Sequence, residues 1–124
     1  MGDRRNLVLI VDDDQAVRDA LQFALQLEGL SVHVHSGGDD LLGDPDLARA
    51  SCLIVDDQMP RMDGFTVLHC LKARNIGLPS IMLTSHATAR VRARAQAAGA
   101  SKLLEKPLMD DALMDNIRSL LSAN

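Results

Sequence analysis

Five apolar residues, Leu7-Val8-Leu9-Ile10-Val11, run without a break into three carboxylates, Asp12-Asp13-Asp14. No polar residue alternates within the run, which is the pattern of a strand covered on both faces. A chain holding such a strand must supply a layer above and a layer below it, and that points to an open α/β sheet. The last residues of such strands reach the rim of the sheet, where ligand sites form. Like charges at about 4 Å repel by roughly 4 kcal/mol at an effective dielectric near 20. Three acids at that rim therefore call for a cation.

Further apolar, β-rich runs recur at 30–35, 52–55, 80–84 and 102–105. Helical spacings separate them. Val17, Leu21, Ala24 and Leu25 share one stripe ahead of a stop at Gly29. Asp63-Gly64 opens a helix, with Asp63 as N-cap, that buries Phe65, Leu68 and Leu71. Val91, Ala95 and Ala98 mark a helix ending at Gly99, and Met109, Leu113, Ile117, Leu120 and Leu121 mark the last one. Pro45 and three glycines leave only a short or broken helix within 37–50. Five strands alternating with about five helices imply a parallel sheet with helices on both faces, in a single domain over residues 1–124.

Composition narrows the function. With two Phe and no Trp or Tyr, the core must be aliphatic, and the net charge is −4. Few aromatics and excess negative charge argue against a nucleic-acid surface. Cys52 and Cys70 stand among apolar neighbours and read as core thiols, which fits a reducing compartment. The first apolar run stops too early for a signal peptide, and no stretch approaches the ~20 residues that span a bilayer. A soluble, cytoplasmic protein is expected.

Four polar signals follow apolar runs: Asp12-Asp13-Asp14, Asp56-Asp57, Thr84-Ser85 and Lys106-Pro107. A parallel sheet brings all four to one edge. Carboxylates, a hydroxyl and an ammonium meeting there suit phosphoryl transfer to a carboxylate. A transferring phosphoryl spreads charge over three oxygens, which Mg²⁺, Lys106 and Thr84 can each bind. A free Asp would be the nucleophile.

The motifs Val11-Asp12-Asp13-Asp14 with Arg18, Asp56-x-x-Met59-Pro60-x-Met62-Asp63-Gly64, Thr84, Gly99-Ala100 and Lys106-Pro107 resemble a response regulator receiver domain of two-component signalling. The resemblance covers nearly the whole chain. It implies a doubly wound, flavodoxin-like sheet of order 2-1-3-4-5, with Asp56 as phosphoacceptor. It assigns Asp13 as the direct Mg²⁺ ligand and Asp12 as a ligand acting mostly through water. Asp56 and the backbone carbonyl of Gln58 complete that set, and Mn²⁺ could replace Mg²⁺. Thr84 becomes the switch hydroxyl, Lys106 the phosphate-binding lysine, and the Lys106-Pro107 bond is expected to be cis.

Several positions depart from the family pattern. Asp57 replaces an apolar or aromatic residue and is read as a solvated loop side chain. Asp14 is expected to cap the first helix. Ser85 replaces a smaller residue, where it could crowd the phosphodonor. Leu103 stands where relatives carry a switching aromatic; it either takes over that role by changing rotamer or simply packs. Gln58 and His86 sit where relatives tune phosphoryl lifetime. His33 and His35 alternate on the second strand, but with no further ligand evident nearby they read as a polar edge. His69 and the arginines Arg90, Arg92 and Arg94 read as surface.

The expected function is a phosphorylation-controlled switch rather than an enzyme. A sensor histidine kinase or histidine phosphotransfer protein would phosphorylate Asp56. Helix 4 (the Val91–Ala98 stripe), strand 5 (102–105) and helix 5 (the Met109–Leu121 stripe) would then engage a downstream protein, with the chain a monomer or weak dimer and with no direct nucleic-acid or membrane contact. No effector segment is expected after the last helix, and output is expected through protein contacts. Two alternatives stay open: the receiver half of a DNA-binding transcription regulator, and an Asp-nucleophile phosphohydrolase. The latter usually wants Asp-x-Asp after the strand, whereas Asp57-Gln58 follows Asp56 here, and no cap insertion is there to shape a substrate pocket.

Overall fold

β1 (Leu7–Val11) is buried at every position, as its unbroken apolar run requires. The computed structural model describes residues 6–108 and 111–122. After β1 come α1 (Gln15–Leu27), β2 (Ser31–His35), α2 (Gly38–Leu42), β3 (Cys52–Asp56), α3 (Gly64–Ala73), β4 (Ser80–Thr84), α4 (Ala89–Ala98), β5 (Lys102–Glu105) and α5 (Ala112–Ser122). A 3-10 turn at Leu47–Arg49 precedes β3. The five strands form one parallel sheet in the order β2-β1-β3-β4-β5. This is the doubly wound, flavodoxin-like order that the motifs implied.

Strand pleating sorts the core into two layers. Leu7, Leu9, Val11, Leu53, Val55 and Met82 pack against Phe65, Val67, Leu68 and Leu71 of α3 and Ala95 and Ala98 of α4. Val8, Ile10, Val32, Cys52, Ile54, Ile81 and Leu83 turn to the other face, under Leu21 and Leu25 of α1 and Leu113 and Ile117 of α5. The edge strands β2 and β5 are only partly buried.

Helix starts follow the expected chemistry. The Asp14 carboxylate accepts from Ala16 N–H, Asp63 from Thr66 N–H, and the Thr88 hydroxyl from Val91 N–H. Gly29 and Gly99 leave α1 and α4 at φ 85° and 97°, where a Cβ would be strained. Segment 37–50 is broken as expected, into the five-residue α2 and the 3-10 turn. β3 runs on to Asp56, past the apolar run at 52–55. Ala24 is exposed, because the α1 stripe buries only Leu21 and Leu25, with Val17 at its margin. Met109, expected on the last helix, lies outside the described residues. Cys52 and Cys70 are free thiols.

One glycine fixes how closely α3 approaches β3. A Cβ on Gly64 would lie 2.3 Å from the Asp56 carbonyl oxygen and 3.1 Å from Asp57 Cα. Backbone cannot yield there as a flexible side chain could. Gly64→Ala should destabilise the fold by roughly 1–3 kcal/mol, the usual cost of overpacking. Urea denaturation followed by circular dichroism measures it; an unchanged midpoint would contradict this packing.

Candidate functional site

The sheet order reverses between β1 and β3, which leaves a crevice at their C-terminal ends. Asp12 follows β1, Asp56 ends β3, Thr84 ends β4 and Lys106 follows β5. Register keeps those ends level: Asp56 pairs with Leu83, and Thr84 with Glu105. The four expected signals therefore share one edge.

Asp12 and Asp56 are buried and Asp13 is exposed. Each brings a carboxylate oxygen within 4.8 Å of the others. Lys106 Nζ lies 3.1 Å from Asp12 Oδ2 and 3.1 Å from Asp56 Oδ1. The ammonium thus bridges two carboxylates delivered by separate strands. The Lys106-Pro107 peptide is cis, as expected. Arg18 donates to the Asp12 carbonyl at 2.7 Å, and Asp14 N–H donates to Asp12 Oδ1 at 3.0 Å. Both contacts converge on Asp12 and fix the start of the acidic loop.

Electrostatics at Asp56 reflect burial first and a crowd of acids second. Burial is the main cause that pushes its carboxyl up to about 6; the Lys106 bond works against it, and the charges of Asp12 and Asp57 add to it. Burial disfavours the Lys106 ammonium, but its bonds to Asp12 and Asp56 win and hold it above its usual value. A further cation is the natural complement. An all-oxygen set from Asp12, Asp13 and Asp56 fits Mg²⁺, which prefers hard oxygen ligands and keeps several waters.

Asp57 does not behave as a solvated loop residue. It is 4% exposed, and its Oδ2 accepts the Thr84 hydroxyl proton at 2.8 Å. The loop turns Asp57 inward: its N–H donates to the Leu83 carbonyl, and its own carbonyl accepts from Gly64 N–H. A buried carboxylate needs a donor, and Thr84 is the donor on the adjacent strand. The sequence showed an unusual acid here, but not the direction of its side chain.

Other singled-out residues sort by exposure. Gln58, Ser85 and His86 are exposed on the loops beside Asp56 and Thr84, and His86 N–H donates to the Thr84 hydroxyl at 3.2 Å. Leu103 is half-buried and packs on the α3–α4 layer. His69 is on the surface, as are Arg90 and Arg92. Arg94 is not simply solvated: its guanidinium lies 4.0 Å from the Phe65 ring centre. His33 and His35 both contact Asp44, a partner nine residues beyond His35 that strand patterning did not suggest. Among the described residues, no helix is long and apolar enough to cross a membrane.

Fold and site together define a flavodoxin-like domain with an acidic, lysine-bridged crevice. A family model, the response regulator receiver domain, matches residues 8–118, and the chain belongs to that family. It is 38% identical over 119 residues to the C4-dicarboxylate transport transcriptional regulatory protein DctR of Rhodobacter capsulatus, covering 94% of this chain and 60% of that protein. It is 34% identical over 110 residues to the transcriptional regulatory protein FixJ of Rhizobium meliloti, covering 89% of this chain and 54% of that one. The chain thus spans little more than half the length of these relatives. Among solved structures, FixJ-N superposes with a TM-score of 0.82 at 33% identity, covering 100% of this chain and 97% of the other. Vibrio cholerae chemotaxis protein CheY4 gives 0.88 at 28%, covering 94% and 99%.

The raised value at Asp56 has a signed consequence. Its folded-state value lies above the unfolded 3.8. Ionising it in the fold therefore costs stability, and the cost grows as pH rises from about 4 to 6 and is complete above. In metal-free protein, Asp56→Asn should stabilise by as much as about 3 kcal/mol near pH 7. The gain should fade to nothing below about pH 4. Urea titrations of both proteins across that range measure it; a gain independent of pH would contradict the assignment.

Proposed function

We propose that this chain is a phosphorylation-controlled switch whose phosphoacceptor is Asp56. The observation that carries this reading is the Lys106 ammonium held between Asp12 and Asp56 at 3.1 Å from each, with Thr84 ending the next strand. A histidine kinase or histidine phosphotransfer protein is the donor, acting in the cytoplasm. An Asp56 carboxylate oxygen attacks phosphorus; the P–N bond of the donor phosphohistidine breaks and its ring nitrogen takes up a proton. Asp13, Asp56 and the Gln58 carbonyl would hold Mg²⁺, with Asp12 acting through water, and the bound ion supplies charge neutralisation for the transferring group. Lys106 follows the new negative charge.

Thr84 must exchange partners. In the unphosphorylated chain its hydroxyl donates to Asp57. A hydrogen bond to a charged acceptor is worth about 1.5–3 kcal/mol, so this contact biases the switch off by roughly tenfold or more. Phosphorylation offers the hydroxyl a stronger acceptor, and the β4–α4 loop follows it. The surface of α4, β5 and α5, with Leu103 packed beneath α4, then engages a downstream protein. Gln58 and His86 flank the phosphorylated carboxylate and set how fast water removes the phosphoryl group.

A second reading has a specific support. Both curated relatives described above are transcriptional regulators, and this chain spans only part of each. Output to DNA through a further domain follows if the native gene product is longer, which an immunoblot of the source cell would show. A phosphohydrolase would instead turn over a small phosphoester repeatedly.

Incubation with a small-molecule phosphodonor and Mg²⁺ should add one phosphoryl group to the intact mass. Asp56→Asn or chelation of Mg²⁺ should abolish it, and joint substitution of Gln58 and His86 should change its decay several-fold. No mass change even with an authentic kinase would sink the switch. Asp57→Leu should release Thr84 and move the α4 amide resonances of the unphosphorylated protein toward their phosphorylated positions. Unmoved resonances would show that Asp57 does not restrain Thr84.

A further inference from the structure

Away from the acidic crevice, ligand-type side chains converge at the outer edge of β2. His33 and His35 are two residues apart on the strand and share a face. His33 Nδ1 stands 3.0 Å and His35 Nε2 2.8 Å from the same atom, Asp44 Oδ2. The Asp44 side chain is only 3% exposed, and its other oxygen accepts Asp46 N–H at 2.8 Å. His33, Asp44 and Asp46 each place a ligand atom within 4.8 Å of the other two. The group opens to solvent through a depression also lined by Asp40, Gly43 and Pro45.

The chain holds this carboxylate deliberately. Asp44 N–H donates to the Leu41 carbonyl, and the Asp44 carbonyl accepts from Leu47 N–H, so α2 and the 3-10 turn anchor it from both sides. Burial pushes the Asp44 carboxyl up, but the Asp46 N–H and the two imidazoles outweigh burial and hold it below its usual value. Arg49 Nε meets Asp46 Oδ1 at 2.9 Å. Two carboxylates against one guanidinium leave a net negative charge beside two imidazoles.

We propose that His33, Asp44 and Asp46 form a binding site for a divalent transition-metal ion of the Zn²⁺ type. His35 is its positioning residue, orienting the ligating Asp44 carboxylate. Metal–ligand bonds of about 2.0 Å in a tetrahedron set neighbouring donors roughly 3.3 Å apart, close to the His33–Asp44 separation. Imidazole with carboxylate suits Zn²⁺, Cu²⁺ or Ni²⁺, whereas Mg²⁺ prefers oxygen alone. A hydrogen bond from His35 to the ligating carboxylate is the outer contact that such sites use to fix a ligand. Solvent completes the shell through the depression. The strand-end acids share no ligand with this site, although Asp12 N–H donates to the His35 carbonyl at 3.2 Å.

Calorimetric titration of Zn²⁺ into the full chain, with Mg²⁺ saturating, tests this. One equivalent should bind. His33→Gln and Asp46→Asn should each weaken it at least tenfold, while Asp13→Asn should leave it intact. His33 and Asp46 are both partly exposed, so their variants should keep the wild-type circular dichroism spectrum. In the wild type, Zn²⁺ should shift the His33 ring ¹⁵N resonances more than those of His35. Absence of binding, undiminished binding in His33→Gln, or loss of binding in Asp13→Asn would each overturn the site.

Discussion

The contact on which the crevice depends is the Lys106 ammonium between Asp12 and Asp56. Without a cation, acids delivered by β1 and β3 would meet in a buried space with nothing to offset their repulsion. The sheet order forces that meeting, because β1 and β3 are neighbours at the point where the winding reverses. Lys106 comes from the far edge, past β5, and its ammonium spans the gap. Its compensation is incomplete: burial first, and then the charges of Asp12 and Asp57, keep the Asp56 carboxyl above the ordinary carboxylate range. On the proposed reading, a site short of positive charge is suited to a divalent ion.

The neighbouring buried acid, Asp57, gives the crevice a second level. It engages Thr84 and not Lys106, so two acids adjacent in sequence serve two different partners. On the proposed reading, Asp56 receives the phosphoryl group and Asp57 restrains the hydroxyl that would report it. The restraint is a single hydrogen bond, strong enough to matter and weak enough to be exchanged. It depends on Gly64, whose missing Cβ lets α3 pack against the backbone of both acids.

Much of this was legible in the residues themselves. Unbroken apolar runs marked β1, β3 and β4, because strands buried on both faces cannot alternate. Asp14, Asp63 and Gly99 announced helix ends through local chemistry that needs no tertiary information. The four strand-end signals were readable because a parallel sheet places every strand end on one edge. Asp57 was not readable: an acid after a strand looks the same in sequence whether it turns outward or inward. Asp44 was hidden for a related reason. Its meeting with His33 and His35 is set by the short α2 and the 3-10 turn, in the segment where Pro45 and the glycines left the path open. Arg94 on Phe65 joins α4 to α3, a pairing that periodicity within one helix cannot show.

The proposed switch turns on exchange of the Thr84 hydroxyl between Asp57 and a phosphorylated Asp56. A crystal structure of the chain with Mg²⁺ and beryllium fluoride, which mimics a phosphoryl group on a carboxylate, tests it most directly. Beryllium is expected on an Asp56 oxygen, Thr84 Oγ1 and Lys106 Nζ on fluorines, and Asp57 released from Thr84. Beryllium fluoride on another residue, or Thr84 still bonded to Asp57 beside a modified Asp56, would contradict it.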